Sequence, residues 1–447
     1  MDLKMTMIDP DSIDRVAKLL VDAGDVASFA EAEALLRTYR MQLVLDAHAC
    51  ADAASQAAAL SIVNTGTRAM HGGVKVFLAE ESECQVPFGR GQPLSAVIAS
   101  VGGKLTDEPE SDVATIALGE HEPRGGKAPV LWCSPHGWVA AVSPTPPSGL
   151  TATEIPAAVL SGSLAVSEVF QWLRGHAVAG DRALEVSLWN PAGEADGPPI
   201  THLPAALWLL GLGHLGQAYA WLLSLLPYPI EGTRPLFLQD DDKLSAANRA
   251  TSMLHGDSAV GVRKTRVVAK VMDELGWDST LIERRYRGGA LHTAGEPPVL
   301  LGGVDNLEAR RSLDESGFPV IYDAGLGAGP DGFLAMSIRR LPGSRPSQEI
   351  WPAARAQPER VLGGAYAALE AESGDRCGVE LLASRTVATS FVGVAAACFV
   401  IGGVLRELHG GEALELVDLS LRDPQRITVL GAKDPPALRV ASVPCAE

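Results

Sequence analysis

The GLGHLG segment at 211–216 has the spacing of a phosphate-binding turn between a strand and a helix. Gly211 would allow the tight turn, Gly213 would let the backbone approach a phosphate, and Gly216 would let the helix pack closely on the strand. The N-terminus of the following helix would offer free N–H groups and the positive end of its dipole. By itself, the motif does not distinguish a dinucleotide from ATP.

Charged and polar residues follow this turn in an order that favours nucleotidyl transfer. Asp240 and Asp242 end the next predicted strand, and Asn248, Lys264 and Asp305 come later. Negative charge builds on the α-phosphate during nucleotidyl transfer, and a lysine and a metal-bound carboxylate would stabilise it. The alternatives are an NAD-binding oxidoreductase and a non-catalytic nucleotide-binding module, and neither of them needs the lysine or the last aspartate.

Residues 205–340 resemble the ThiF/MoeB adenylating family, which includes the ubiquitin-activating enzymes. The resemblance rests on GLGHLG, DDDKLSAANRATS, VGVRK and VDN, which occur in the family's order and with similar spacing over about a third of the chain. It implies that the cofactors are ATP and Mg²⁺. It also implies a role for each matched residue: Asp240 and Asp242 around the ribose, Asn248 near the phosphates, Lys264 on the phosphates and Asp305 on Mg²⁺.

Two arginines complete the site that the resemblance implies. Thr251 stands where the family has an arginine, and Arg249, two residues earlier, is predicted to reach the same phosphates. The family also borrows an arginine from a partner domain through an N-terminal helix. The YRMQ segment at 39–42 is similar, so Arg40 is predicted to take that role. For both residues the alternative is an ordinary surface arginine.

A faint internal repeat indicates that one domain occurs twice. AALSIVNTG at 58–66 is similar to AALWLLGLG at 205–213, and in both halves a small-residue helix precedes a similar strand, at 183–189 and 413–421. The turn at 64–69 of the first copy keeps one of the three glycines. Chance similarity between apolar segments is the alternative.

The alternation of strand and helix patterns in the second half predicts an α/β fold with a mostly parallel sheet. With the repeat, it predicts two Rossmann-like domains of the ThiF type. Residues 1–196 would form a degenerate, inactive domain with N-terminal helices, and residues 197–447 an active one. The segment between them, NPAGEADGPPITHLP, has the composition of a linker.

Cys377 is the candidate catalytic cysteine. It lies in the segment 342–385, which is predicted to form a crossover loop over the nucleotide, and Arg376 and Arg385 would favour its thiolate. A cysteine packed under a loop is the alternative. The six cysteines include no CxxC pair, so we expect no zinc site.

Composition limits the kinds of partner that the protein is expected to bind. A formal net charge of −17 argues against binding nucleic acid, which requires a basic surface. Two stretches without charged residues, 200–230 and 386–405, are predicted to be buried core elements rather than membrane spans. The N-terminus lacks the apolar region of a signal peptide, so we expect a cytoplasmic protein that binds no membrane.

The sequence therefore predicts ATP-dependent adenylation of the C-terminal carboxylate, on glycine, of a ubiquitin-like protein. Transfer to Cys377 as a thioester would follow, and a conjugating enzyme is a possible acceptor. The alternative within the family is an adenylyltransferase for a sulfur-carrier protein or peptide, without an enzyme thioester. A chain that carries both copies would complete its site as a monomer, although a homodimer stays possible.

Overall fold

The computed structural model describes residues 10–120, 126–147, 149, 151–193, 196–254, 257–353 and 363–446. These residues form two large, mostly parallel sheets with helices packed on them, so the predicted α/β class is confirmed. One sheet has seven strands and the other has eight.

The first sheet has the strand order β3-β2-β1-β4-β5-β6-β7. Its first five strands are parallel, and β6 and β7 run antiparallel to their neighbours. The elements of this half are α1 Arg15–Ala23, α2 Phe29–Thr38, β1 Arg40–Leu45, α3 Ala47–Ala51, α4 Ala53–Ala69, β2 Gly73–Leu78, α5 Leu94–Ser100, β3 Lys104–Leu105, β4 Thr115–Leu118, β5 Val130–Cys133, β6 Val139–Ser143, α6 Ile155–Leu173 and β7 Leu184–Ser187.

The second sheet has the order β11-β10-β9-β12-β13-β14-β15-β16, and a short β8–β17 pair lies beside it. Its elements are β8 His202–Pro204, β9 Leu207–Leu210, α7 His214–Leu225, β10 Arg234–Gln239, α8 Lys264–Glu274, β11 Trp277–Ile282, β12 Val299–Gly302, α9 Leu307–Arg311, β13 Val320–Leu326, α10 Gly329–Gly332, β14 Ala335–Leu341, α11 Ser347–Ile350, α12 Gly364–Ser373, α13 Arg376–Ser384, α14 Ser390–Leu408, β15 Leu414–Ser420, β16 Thr428–Gly431 and β17 Ser442–Pro444.

The two sheets repeat one topology. In the second sheet, β9 to β13 are parallel and the following strands are antiparallel, as in the first. Strand β1 therefore corresponds to β9, and α6 with β7 corresponds to α14 with β15. The predicted domain boundary at 196/197 falls between β7 and β8.

The sequence predicts that the first domain's counterpart of the glycine turn lies at 64–69, and this prediction is wrong. Residues 58–69 lie within α4, and the strand that matches β9 is β1, at 40–45. This strand has a nearly continuous buried apolar run, whose pattern resembles that of a buried helix. Gly66 serves packing, because a Cβ there would lie 2.4 Å from Cε of Met41. The segment equivalent to the glycine turn is 46–52.

The two domains share one core, formed where α4 and α6 pack against α7 and α14. Nε1 of Trp221 donates a hydrogen bond to Oγ of Ser61 (3.0 Å), and Oγ of Ser390 donates one to the carbonyl oxygen of Thr65 (3.0 Å). Helix α14 is long and apolar enough to cross a bilayer, but 89% of its apolar window is buried in this core. Packing between domains accounts for its composition.

Candidate active site

The carboxyl ends of five parallel strands in the second sheet meet at one cavity of about 380 Å³. The residues that follow β9 to β13 line it, namely Gly211, Asp240, Arg284, Gly303 and Gly327. The strand order reverses between β9 and β12, and doubly wound sheets bind their ligands at such a point. We call it the nucleotide cavity below.

The three glycines of the turn have different surroundings. Gly211 has φ +82°, and a Cβ on it would lie 3.0 Å from the backbone of Gly303. A Cβ on Gly216 would lie 2.0 Å from the carbonyl oxygen of Gly211, so helix and turn pack without room for a side chain. Among the described residues, the one group within 4 Å of a Cβ on Gly213 is Nζ of Lys264, at 4.0 Å. Gly211 and Gly216 therefore shape the turn, whereas Gly213 leaves open space next to a cation.

The N-terminus of α7 faces this space. Its N-cap is Gly213, which has no side chain to accept hydrogen bonds from the first N–H groups. Those groups and the positive end of the helix dipole are therefore available to an anion.

Asp240 connects the glycine turn to the loop after β10. Its Oδ2 accepts a hydrogen bond from the N–H of Leu212 (2.6 Å), and its Oδ1 accepts one from the N–H of Asp242 (2.7 Å). Burial raises the pKa of the Asp240 carboxyl, and the charge of Lys264 opposes that rise. The side chain is thus fixed at the cavity wall, where the sequence predicts a ribose.

Lys264 begins α8 and is 8% exposed. Its Nζ lies 2.7 Å from Oδ2 of Asp242, and its N–H donates to the carbonyl oxygen of the same residue (3.1 Å). The ammonium group is therefore held between Gly213 and Asp242. This is a suitable position for binding a phosphate.

Of two neighbouring residues with predicted phosphate roles, Asn248 lines the nucleotide cavity and Arg249 does not. Oδ1 of Asn248 accepts a hydrogen bond from the N–H of Ser245 (2.9 Å), which fixes the turn. Arg249 lines a separate cavity of about 830 Å³ between the domains, and its carbonyl oxygen accepts a hydrogen bond from Arg68 (2.8 Å). The structure therefore places Arg249 away from the nucleotide cavity, because successive residues of this turn point to different cavities.

The structure also places Arg40 away from the nucleotide cavity. Arg40 begins β1, at the end of the strand opposite to a ligand crevice, and its exposed guanidinium lies 3.5 Å from Oε2 of Glu110. The arginine that the first domain supplies to the nucleotide cavity is Arg15, the first residue of α1. Burial lowers the pKa of Arg15, the charge of Asp305 raises it, and that of Arg385 lowers it.

Asp305 follows β12, lines the nucleotide cavity and is exposed. Across the cavity, carboxylate oxygens of Asp240, Asp241 and Asp242 lie within 4.8 Å of one another. Mg²⁺ prefers carboxylate oxygens and water as ligands, so this set of donors fits the ion. The ammonium group of Lys264 already neutralises part of the charge of Asp242.

His214 is a residue of the turn to which the sequence assigned no role. Its ring packs against the start of α14, where a Cβ on Gly393 would lie 2.3 Å from Nε2. Burial lowers the pKa of the imidazole to about 3, and the charge of Arg15 contributes to the shift. The ring is therefore neutral at neutral pH. Its Nε2 has no hydrogen-bond partner among the described residues.

A second groove, of about 550 Å³, shares Arg310, Leu326 and Gly327 with the nucleotide cavity. It continues over β13, β14 and β15. Small residues line it next to the nucleotide cavity: Gly325, Gly327 and Ala335. Further along lie Asp323, Ser337, Arg339 and Asp418.

Burial raises the pKa of Asp323 to about 6, while the charges of Arg310 and Arg339 lower it. Oδ1 of this residue and Oδ1 of Asp418 have no hydrogen-bond partners among the described residues. Both of these oxygens are buried, so neither is accessible from the groove.

Cys377 is exposed and lies in the first turn of α13. It is not among the described residues that line the nucleotide cavity, but the segment after its helix, residues 386–388, does line it. Asp375 caps the helix by accepting from the N–H of Gly378 (2.9 Å), and Arg376 pairs with Glu380 (2.8 Å). The predicted crossover loop contains α11, α12 and α13, and its residues 354–362 lie outside the described residues.

The first domain has a smaller cavity, of about 270 Å³, at the carboxyl ends of β4 and β5. Where the second domain has its glycine turn, Asp46 accepts hydrogen bonds from the N–H groups of Ala49 (2.8 Å) and Glu120 (2.7 Å). A Cβ on Gly119 would lie 2.1 Å from this side chain. A carboxylate of the chain itself therefore occupies backbone donors of the kind that bind phosphate.

The fold defines an α/β protein in which two domains of the same topology are fused in one chain. Residues 40–188 match the BilD N-terminal domain, and residues 203–411 match the BilD C-terminal domain. The bacterial E1-like protein BilD of Collimonas sp. (strain OK412) is 35% identical over 421 residues, which are 92% of this chain and 91% of that protein. The chain belongs to the BilD family.

Among solved structures, the chain is similar to MccB of E. coli, crystallised with MccA-N7isoASN and with ATP. Both comparisons give 13% identity and a TM-score of 0.35 and cover 53% of this chain. They span 66% and 65% of the MccB chain, a little less than two thirds of its length.

Proposed function

We propose that the protein uses ATP to adenylate the C-terminal carboxylate of a ubiquitin-like protein. The observation that carries the proposal is that Arg15, Lys264 and the uncapped N-terminus of α7 converge on one cavity at the carboxyl edge of the sheet. Two cations and a helix N-terminus suit a polyphosphate better than a nicotinamide dinucleotide. The description of the curated BilD relative as an E1-like protein supports the same reading.

In this proposal, the phosphates lie over Gly213, between Lys264 and Arg15. Asp240 and Asp242 hold the ribose, and Asn248 lies near the phosphates. Asp305 would hold Mg²⁺, which would neutralise phosphate charge when bound.

The reaction at this site is an attack on the α-phosphorus by an oxygen of the substrate carboxylate. The new oxygen–phosphorus bond forms as the bond from the α-phosphorus to the bridging oxygen breaks, and pyrophosphate leaves. Lys264 and Arg15 would stabilise the charge that builds on the phosphates.

The groove over β13 to β15 supports a polypeptide as the substrate. It opens into the nucleotide cavity at Gly327, and its floor there is formed by Gly325 and Ala335, so an extended chain can approach the α-phosphate. A tail that ends in glycine would suit the end of the groove that these small residues line.

The first domain would act without a nucleotide of its own. The Asp46 carboxylate supports this, since it occupies backbone donors at the first domain's own crevice. The domain's contribution is Arg15, which enters the site of the second domain within the same chain. One chain therefore suffices for one complete site.

The step after adenylation has two candidates. In the first, the Cys377 thiolate attacks the acyl-adenylate carbonyl carbon, a thioester forms, AMP leaves, and a conjugating enzyme accepts the acyl group. In the second, a nucleophile outside this chain attacks the same carbonyl carbon and AMP leaves, as for a sulfur-carrier protein. The position of Cys377 outside the nucleotide cavity favours the second, unless α13 moves.

The test is ATP–pyrophosphate exchange with a ubiquitin-like protein that ends in glycine. We expect exchange that requires both ATP and the free carboxylate of that protein. The matched control is the same protein with a C-terminal amide, which cannot be adenylated. Equal exchange with the amide would show that the C-terminal carboxylate is not the reacting group.

A further inference from the structure

We propose that His71, a residue of the first domain, positions Arg15 for the nucleotide by holding Asp14. The inference rests on the proposed binding of ATP near Arg15. It gives the first domain a task in the site of the second. His71 lies in the turn between α4 and β2, outside the nucleotide cavity, so its role is one of positioning.

The contacts that connect His71 to Arg15 through Asp14, which we call the relay, begin at the cap of α1. Oδ1 of Asp14 accepts hydrogen bonds from the N–H groups of Val16 (2.9 Å) and Ala17 (2.8 Å). These bonds fix the first turn of the helix, whose first residue is Arg15. The other carboxylate oxygen, Oδ2, lies 2.9 Å from Nε2 of His71. One carboxylate therefore joins the helix start to the first domain.

His71 is itself fixed to the first domain. Its N–H donates to the carbonyl oxygen of Leu36 at the end of α2 (3.1 Å). A Cβ on the next residue, Gly72, would lie 2.5 Å from the carbonyl oxygen of Tyr39, so the turn lies directly on the backbone before β1. The position of the imidazole is therefore set by the first sheet, because β2 begins at Gly73.

Arg15 needs such support because its surroundings oppose its charge. The side chain is half-buried, its Nε has no hydrogen-bond partner among the described residues, and the charge of Arg385 lies nearby. Asp305 is the acid that attracts it. A half-buried cation next to another cation is unfavourable until an anion arrives, so the backbone must hold it in place.

A second contact anchors α1 one turn further on. Nζ of Lys18 donates to Oη of Tyr366 in α12 (2.8 Å), and also pairs with Asp22. This contact holds the helix to the second domain one turn beyond its first turn. The pair of Asp14 and His71 fixes that first turn.

The pair is partly accessible, which limits the size of its effect. The side chains of His71 and Asp14 are 29% and 11% exposed, and both line the cavity of about 830 Å³ between the domains. Other charged groups around that cavity come from α2, α4 and the turn after β10: Glu33, Arg37, Arg68 and Arg249. We expect the loss of the pair to weaken ATP binding by about tenfold, the size expected for one charge-assisted hydrogen bond.

The test is a double-mutant cycle on the affinity of the full chain for Mg·ATP, measured by calorimetry without any protein substrate. His71→Phe and D14N should each weaken binding about tenfold, since phenylalanine keeps the ring and asparagine keeps the helix cap. H71Q should restore much of the affinity, because its amide nitrogen can replace Nε2. The control is His48→Phe, at an exposed histidine of the same domain, which should change nothing.

The decisive arm repeats His71→Phe in a protein that already carries R15A. The proposal expects no further loss of affinity there, because the positioned group is gone. Equal losses with and without Arg15 would show that His71 acts on the fold alone, and would overturn the relay while leaving ATP binding intact. An unchanged affinity in His71→Phe itself would overturn it as well. If the wild-type protein binds no ATP, the proposed function and the relay fail together.

Discussion

The Nζ atom of Lys264 lies 2.7 Å from Oδ2 of Asp242, so the first residue of α8 is paired with the loop that follows β10. The pair brings together two segments that are 22 residues apart in sequence and sets the lysine beside Gly213. A phosphate that enters this space would meet an ammonium group already in position. Such preorganised charge is an effective means of stabilising a transition state.

Replacing this lysine should abolish adenylation and leave the fold intact. We expect Lys264→Ala to reduce ATP–pyrophosphate exchange by about a hundredfold or more, because it removes the cation that stabilises the phosphates. Lys270→Ala, on an exposed position of the same helix, is the control and should keep full exchange. Undiminished exchange in Lys264→Ala would mean that the phosphates bind elsewhere.

Two glycines of the turn should respond differently to the same substitution. Gly216→Ala should destabilise the protein by about 2 kcal/mol or more, because its Cβ would lie 2.0 Å from the carbonyl oxygen of Gly211. Gly213→Ala should keep the unfolding temperature nearly unchanged but weaken ATP binding, since its methyl group enters the space beside Lys264. Thermal unfolding and ATP titration measure the two effects. A folded Gly213→Ala protein with normal affinity would contradict the proposed path of the phosphates.

Substitutions of Arg15 and Arg40 test which arginine of the first domain acts on the phosphates. Arg15→Ala should weaken ATP binding and slow pyrophosphate exchange at least tenfold, because it removes a cation that lines the cavity. Arg40→Ala should change neither, and its exposed pair with Glu110 contributes less than about 1 kcal/mol to stability. A larger loss of pyrophosphate exchange in Arg40→Ala than in Arg15→Ala would show that Arg40 is the arginine that acts on the phosphates.

The role of Cys377 can be separated from adenylation. We expect C377S to keep pyrophosphate exchange and to lose any adduct with the substrate that a thiol reductant cleaves, since the thiolate acts only after the adenylate forms. Cys445→Ser is the matched control, because this cysteine lies near the end of the chain and is half-buried. A reductant-sensitive adduct that persists in C377S would assign the nucleophile to another cysteine.

His214 should make stability depend on pH. Its imidazole pKa is about 3 in the folded protein, whereas an unfolded histidine titrates near pH ~6.5, so the unfolded state binds more protons between these values. Stability is therefore full above about pH 6.5 and is lost as the pH falls towards 3. His214→Gln cannot titrate, so the difference between the two proteins in free energy of unfolding should change by about 1 to 3 kcal/mol from pH 7 to pH 4. Parallel urea-unfolding curves at every pH would contradict the buried neutral imidazole.

Much of the nucleotide cavity was predictable because parallel strands bring their carboxyl ends together. Gly211, Asp240, Lys264 and Asp305 are far apart in sequence, but each follows a strand or begins the next helix. Motif order therefore carried information about position. All four residues line the same cavity.

The positions of Arg249 and Arg15 could not be predicted from the order of the motifs. Arg249 neighbours Asn248 in a turn, and a change of one residue in a turn redirects the side chain to another cavity. Arg15 reaches the site through the packing of α1 between two domains, which has no local pattern in the sequence. A cue was present in Asp14, a helix cap directly before an arginine.

The first domain was harder to read because its central strand is buried on both faces. Residues 40–45 lack the alternation that identifies a half-exposed strand, so they merged with the helical segments around them. The sequence therefore predicts the strand and turn of the first copy at 58–69, which is too far along the chain. The end of each copy was easier, because α6 and α14 share their small residues and each is followed by a similar strand.

The central claim is that a carboxylate of the partner attacks the α-phosphate of ATP bound in the second domain. The most direct measurement supplies ATP labelled on its α-phosphorus, together with a ubiquitin-like protein ending in glycine, and identifies the labelled product. The account predicts label on the C-terminus of that protein as AMP, with unlabelled pyrophosphate released, and loss of both products in Lys264→Ala. Label recovered as ADP, with the protein unmodified, would contradict it.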